Sequence, residues 1–296
     1  MLNAAPTPWH LLHSEDQAFA VVHPRVLPRA PSGVVYSLPH SGRYYPDSFI
    51  HQARLQGSAL RASEDAFVDE MVPFSEDDGI SGIACHYARA FCDVNRNALE
   101  LDARLIRGDL PKAALGLSAR VKAGYGVIAR CLSANQDIYR QPIDMAEVNR
   151  RLDLIYHPYH RQLQTLLREA RASAGRAVLV DWHSMPSSAV VQAGAGRPEV
   201  VLGTLHGESC SEDLVRTIRR ALEGQGLRVG LNKPFAGGYI VEHYGRPGDG
   251  VEAIQIEINR ALYMDEAALA PTEGLPRLRA VFAELTRTLV GRDSNA

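Results

Sequence analysis

The sequence is poor in the features that mark the more specialised kinds of chain. It has four cysteines, Cys85, Cys92, Cys131 and Cys210, and no CxxC pair. A disulfide framework is therefore not expected, and reduced thiols of a cytoplasmic protein fit better. No run of about 18 apolar residues occurs, so no transmembrane helix is expected. The opening MLNAAPTPWHLL has no charged segment followed by a long apolar one, so no signal peptide is expected either. There is no basic tract, and the formal net charge is −2. That argues against nucleic acid and membrane partners, although scattered arginines can still line a pocket for a small anion. Repeats, low-complexity tracts and linkers are missing as well. With 296 residues, 46% of them hydrophobic, the chain can build a sizeable core, and a single domain over 1–296 is expected.

What the chain does have is two apolar strands that each deliver a histidine. In Val34–Gly42, VVYSLPHSG, strand-forming residues run into Pro-His-Ser-Gly, which puts His40 at a strand's C-terminal edge with a tight turn behind it. In Ala177–Ser184, AVLVDWHS, a second strand ends in Asp-x-His, with Asp181 and His183 on one face. In open α/β sheets that edge is where ligands bind.

Around these strands, residues 1–33 read as an irregular Pro- and Ala-rich arm. Residues 56–71 carry a partial helical stripe that would put Asp65 and Asp69 on one face. Ser81–Asn95 reads as extended, ending in the polar cluster Asp-Val-Asn-Arg. Residues 97–145 show little periodicity and read as a long excursion near the active site. A strong helix spans 146–173, with Pro158 inside and Gly175 as its cap. Val200–Leu202 is a short strand, and Ser211 caps a helix over 212–223. Residues 232–250 read as a loop with two turns. Ala253–Asn259 alternates, so that Gln255, Glu257 and Asn259 share one face, and a helix over 265–289 closes the chain. Strands alternating with helices give an α/β class with a mixed, mostly parallel sheet.

Two strand-end histidines with nearby acids suit a divalent metal, which in catalytic sites takes three protein ligands from His and Asp/Glu. Glu64 and Asp65 are both candidates for the third ligand. Asp181 could hold a ligand's far nitrogen. The competing reading is that each histidine is simply hydrogen-bonded at a strand end. Glu257 interrupts an apolar strand, which costs several kcal/mol unless the carboxylate is paired or faces a cleft. A general base beside an activated water is one role for it, and an edge strand with one wet face is the alternative. Arg89 and Arg96, seven apart, could grip a carboxylate or an oxyanion, against the ordinary role of arginine on a solvated surface.

The blocks PHSG (39–42), SEDAFVD (63–69), ARAFCDVNR (88–96), DWHS (181–184), LGTLHGESC (202–210), GGYIVEHYGRP (237–247) and QIEINRALYMDE (255–266) occur in this order. Together they resemble the N-formylglutamate amidohydrolase, or N-formylglutamate deformylase, family. That resemblance implies a zinc-carboxypeptidase and aspartoacylase-like fold, of the phosphorylase/hydrolase type. It also implies hydrolysis of N-formyl-L-glutamate to formate and L-glutamate, the last step of one histidine-degradation route. Carried over by motif, His40, His183 and Asp65 would bind one Zn2+, or Co2+ or Mn2+ in its place, with Glu64 the alternative to Asp65 and with Asp181 and Asp69 behind the ligands. Glu257 would activate the water and protonate the leaving amine, and Arg89 would polarise the carbonyl. Asn95 and Arg96 would grip the α-carboxylate, and Arg260 would meet the second carboxylate. Read from the residues alone, Gly237 and Gly238 serve a turn or let substrate approach the backbone.

Two rival functions use the same residues. One is a hydrolase on the same scaffold acting on another N-acyl amino acid or a C-terminal peptide bond. The other is a non-catalytic protein that binds a dicarboxylate. Oligomeric state has no signature in the sequence.

Overall fold

Side-chain alternation along the central strands decides how the layers form. The computed structural model describes residues 17–23, 32–74, 79–115, 118–132, 136–191 and 197–292. Among these, one sheet is built from β1 (Phe19–Val22), β2 (Val34–Leu38), β3 (Ser81–Cys85), β4 (Ala177–Met185), β5 (Val200–Gly203), β6 (Val229–Leu231) and β7 (Val251–Asn259). Their order is β1-β3-β2-β4-β7-β5-β6. The four middle strands β3, β2, β4 and β7 run parallel, β1 joins β3 antiparallel, and β5 joins β7 antiparallel.

One face of the sheet is apolar along its length. Tyr36 and Leu38 of β2, Val178, Val180 and Trp182 of β4, and Ile254, Ile256 and Ile258 of β7 form a core with helices Glu212–Gly224 and Gly274–Arg292. The other face begins apolar, where Val35, Leu179 and Ala253 meet helix His157–Ala174. It then turns polar: Ser37, Asp181, His183, Gln255 and Glu257 share its side-chain parity and lie toward the C-terminal ends of the parallel strands. All five are buried. Burying so many polar and charged groups on one side of a sheet is tolerable only where they satisfy one another or a ligand.

Several sequence expectations change. Residues 19–22, inside the stretch read as an irregular arm, form the edge strand β1; four residues between Pro-rich flanks are too short to show a period. The stripe at 56–71 is two short helices, Ser58–Arg61 and Val68–Met71, separated by a turn in which Phe67 takes φ 64°. Asp65 and Asp69 therefore do not share a helix face. Tertiary bonds fix that turn: the Asp65 amide donates to the His40 carbonyl, and Arg260 donates to the Ala62 carbonyl. Extended structure after Ser81 stops at Cys85, and 88–96 is made of turns.

Pro158 does not break its helix. Met145–Arg151 passes through a π-turn at Leu152–Tyr156 into His157–Ala174, so the widened turn accommodates the missing amide. The 232–250 loop contains the helix Tyr239–Tyr244. The final helix starts at Gly274 rather than 265, because Met264–Asp265 and Ala270–Pro271 first pair as a small hairpin.

Candidate metal and active site

The register of β4 against β7 sets the site. His183 pairs with Glu257, and Asp181 with Gln255; on the other side of β4, Ser37 of β2 pairs with Asp181. His40 lies just beyond β2. Gly42 behind it allows a turn so tight that a Cβ would stand 2.4 Å from the Tyr87 carbonyl. Asp65 comes from the turn fixed to the His40 carbonyl.

His40, Asp65 and His183 offer ligand atoms that all lie within 4.8 Å of one another, and all three residues are buried. Each imidazole turns its far nitrogen to a carboxylate. His40 Nε2 stands 2.7 Å from Asp93 Oδ1, and His183 Nε2 stands 2.8 Å from Asp181 Oδ2. With those nitrogens donating, both Nδ1 lone pairs aim at one carboxylate oxygen. Asp65 Oδ2 is 2.9 Å from His183 Nδ1 and 3.4 Å from His40 Nδ1. His40 Nδ1 is buried without a hydrogen bond. Three acceptors converging in a buried place suit a divalent cation, and two histidines with one aspartate leave positions open as catalytic sites do. Carboxylates behind both histidines fix ring orientation and raise ligand basicity. The residues present therefore fit a metal.

Burial and neighbouring charges shift the protonation of these groups strongly. Burial would push Asp65 and Asp93 up, but their partners win. His183 and His40 hold Asp65 well below the usual carboxylate range, and Arg89, His40 and Arg96 do the same for Asp93. Burial disfavours a charged His183, yet Asp181 and Asp65 raise it well above an ordinary imidazole. Glu257 goes the other way. Burial first and then Asp65 push it up to about 7, against the pull of His183, Arg89 and Arg260. A carboxyl poised there can both take and return a proton near neutral pH.

Of the other residues singled out in the sequence, Arg89 lines the same cavity and donates to Asp93 Oδ2 at 2.8 Å. Arg96 also lines it, with Nε donating to the Tyr125 carbonyl at 3.1 Å and Nη1 to the Asn95 carbonyl at 2.9 Å. Asn95 is tied into the scaffold: its Oδ1 accepts from the Ile240 amide, and its Nδ2 lies 3.0 Å from His183 Nε2 and 3.3 Å from Asp181 Oδ2. Gly237 and Gly238 line the cavity, and Gly238 presses so close to Asn95 that a Cβ there would stand 2.4 Å from Nδ2. Gln255 links the two sides, accepting from the Gly238 amide and donating to Glu257 Oε1 at 2.8 Å. Since β7 lies between β4 and β5, an edge strand with one wet face is not the explanation of Glu257.

Three sequence assignments meet a different placement. Glu64 turns away to Arg61 and Tyr45. Asp69 pairs with Arg43 rather than standing behind a ligand. Arg260 is engaged by Asp65 Oδ1 at 3.1 Å, Ser184 Oγ at 3.1 Å and the Ala62 carbonyl, so its guanidinium buttresses the Asp65 turn. Sequence reasoning gave no role to Asp93, though it sits in the polar cluster at 93–96, nor to Arg120 and Tyr125, which reach the cavity from the aperiodic 97–145 segment. The cavity has a volume of about 680 Å³, within the range of small-molecule sites.

Comparison with known proteins identifies relatives of this chain. The N-formylglutamate amidohydrolase family model matches residues 32–264. N-formylglutamate deformylase of Pseudomonas aeruginosa is 28% identical over 260 residues, covering 87% of this chain and 89% of its own. The Pseudomonas putida protein of the same name is 28% identical over 236 residues, covering 79% of this chain and 82% of its own. The crystal structure of N-formylglutamate amidohydrolase from Ralstonia eutropha JMP134 superposes with a TM-score of 0.87 at 29% identity, over 94% of this chain and 99% of that one.

Proposed function

The chain belongs to the N-formylglutamate amidohydrolase family, and from that premise we propose that it hydrolyses N-formyl-L-glutamate to formate and L-glutamate with one divalent metal, zinc in the first instance. The observation that carries the reading is the placement of Glu257, a buried carboxyl raised to about 7, beside the converging donors of His40, Asp65 and His183.

A divalent ion held by those three residues supplies Lewis-acid polarisation of the amide and a more acidic water. The protein's own groups do the rest. Glu257 removes a proton from the attacking water and returns it to the leaving nitrogen, so that formate departs and the free amine of glutamate remains. Gln255 fixes Glu257 Oε1 and leaves Oε2 for this exchange. Arg89, held by Asp93, presents positive charge for the oxyanion that develops on the carbonyl oxygen. Arg96 keeps Nη2 free of the two carbonyls that bind its other nitrogens, and it receives the substrate's α-carboxylate. The four cysteines are buried and unpaired, which fits an enzyme of the reducing cytoplasm; no helix among the described residues is long and apolar enough to cross a membrane.

The direct test is formate release by the purified protein from a panel of N-formyl and N-acetyl amino acids. The reading expects N-formyl-L-glutamate to be the best substrate. Preference for an unrelated acyl amino acid would keep the scaffold and replace the substrate.

A further inference from the structure

Four arginines line the cavity: Arg89, Arg96, Arg120 and Arg260. Three have partners inside the protein. Arg89 is paired with Asp93, Arg260 with Asp65, and Arg96 is held by two backbone carbonyls with Asp93 4.0 Å away. Among the described residues, the Arg120 guanidinium has no hydrogen bond or ion pair.

Its position is nonetheless fixed. Arg120 lies in the one-turn helix Ala119–Lys122, whose cap Ser118 accepts from the Val121 amide and donates to Glu100. The Arg120 carbonyl accepts from the Tyr125 amide at 2.8 Å, and the Tyr125 carbonyl accepts from Arg96 Nε at 3.1 Å. The two arginines are thus tied through one short stretch of backbone. Burial lowers the proton affinity of Arg96, Asp93 opposes that, and the like charges of Arg89 and Arg120 add to it. Two neighbouring guanidinium groups facing one cavity, of which one lacks any internal carboxylate, leave room for more anionic charge than the α-carboxylate brings.

We propose that Arg120 binds the side-chain carboxylate of the N-acyl amino acid and so sets the preference for an acidic substrate. This rests on the amidohydrolase reading above. It also replaces Arg260, which Asp65 already occupies, as the partner of the second carboxylate. The 97–145 segment then carries side-chain specificity, while β4, β7 and the Asp65 turn carry the chemistry.

The experiment compares kcat/KM for N-formyl-L-glutamate and N-formyl-L-glutamine in the wild type, Arg120→Ala and Arg120→Lys. Both substrates keep the α-carboxylate and the formamide; only the distal charge differs. The glutamate-to-glutamine ratio should fall about 10- to 100-fold in Arg120→Ala, the size of a lost charge-assisted hydrogen bond, mainly through KM. Arg120→Lys should lie between, and it remains informative if the alanine variant folds poorly. An unchanged ratio, or an equal loss on both substrates, overturns the assignment while leaving the amidohydrolase reading intact. If the wild type releases formate from neither compound, the amidohydrolase reading fails. Calorimetry with L-glutamate and L-glutamine then decides separately: an Arg120-dependent preference for L-glutamate upholds the carboxylate site, and equal or no binding overturns it.

Discussion

His183 and Glu257 sit opposite one another in the parallel register of β4 and β7, on the one face of the sheet that turns polar toward the strand ends. The proposed metal donor and the proposed proton-exchanging carboxyl are thereby held on two central, fully paired strands rather than on loops. The pairing also places Asp181 across from Gln255, so the residues that orient His183 and Glu257 are fixed by the same register. A slip of either strand by one residue would turn its own two site residues to the apolar side.

Glu257→Gln keeps the shape and the Gln255 neighbour but cannot accept a proton. We expect a loss of about 10²-fold or more in kcat with metal content unchanged. Steady-state kinetics alongside metal analysis would show this, and a near-normal rate would remove Glu257 from the mechanism.

The pH dependence follows from the same group. Glu257 must be ionised to act as base, and burial and Asp65 raise it to about 7. Below that value it is protonated, so kcat/KM should fall as pH drops through about 7, approaching tenfold per unit. A profile flat between pH 5.5 and 8 would contradict this.

Asp93 braces His40 through Nε2 and receives Arg89 and the Asn95 amide as well. Asp93→Asn should weaken metal affinity about 10- to 100-fold, as loss of a carboxylate behind a ligating histidine does. Competition with a chromophoric chelator measures it. Full affinity would mean that His40 needs no such support.

His160 supplies a prediction about stability. It bonds the Val94 carbonyl and Tyr244 beneath the 93–96 turn. Burial lowers its pKa to about 4. Above the unfolded value of about 6.5 both states are neutral and the fold loses nothing. As pH falls from there the unfolded chain binds a proton that the folded one refuses, so stability drops until about pH 4, by at most about 3 kcal/mol. Urea melts of the wild type and His160→Gln across that range should show the variant with the shallower slope; parallel slopes would contradict the assignment.

The sequence exposed the parts of the site that lie on strands. His40, His183 and Glu257 stand out because each follows or interrupts an apolar run whose alternation fixes its face. Asp65 was distinguishable from Glu64 only through the family motif, because the turn that aims it depends on Phe67 in a left-handed conformation and on bonds from His40 and Arg260. A helical period carried across that turn makes Asp69 a false neighbour of Asp65. Arg120 left no readable trace: it comes from a segment with no period, and its meaning depends on which other arginines already have partners. The helix Tyr239–Tyr244 was hidden because it is only six residues long and lies among glycines.

The measurement that bears most directly on the whole account is formate release from N-formyl-L-glutamate before chelation, after chelation, and after zinc is returned, with the metal content of the protein determined at each stage. The account predicts about one metal per chain, loss of release on chelation, and recovery with zinc. Undiminished release from metal-free protein would contradict it.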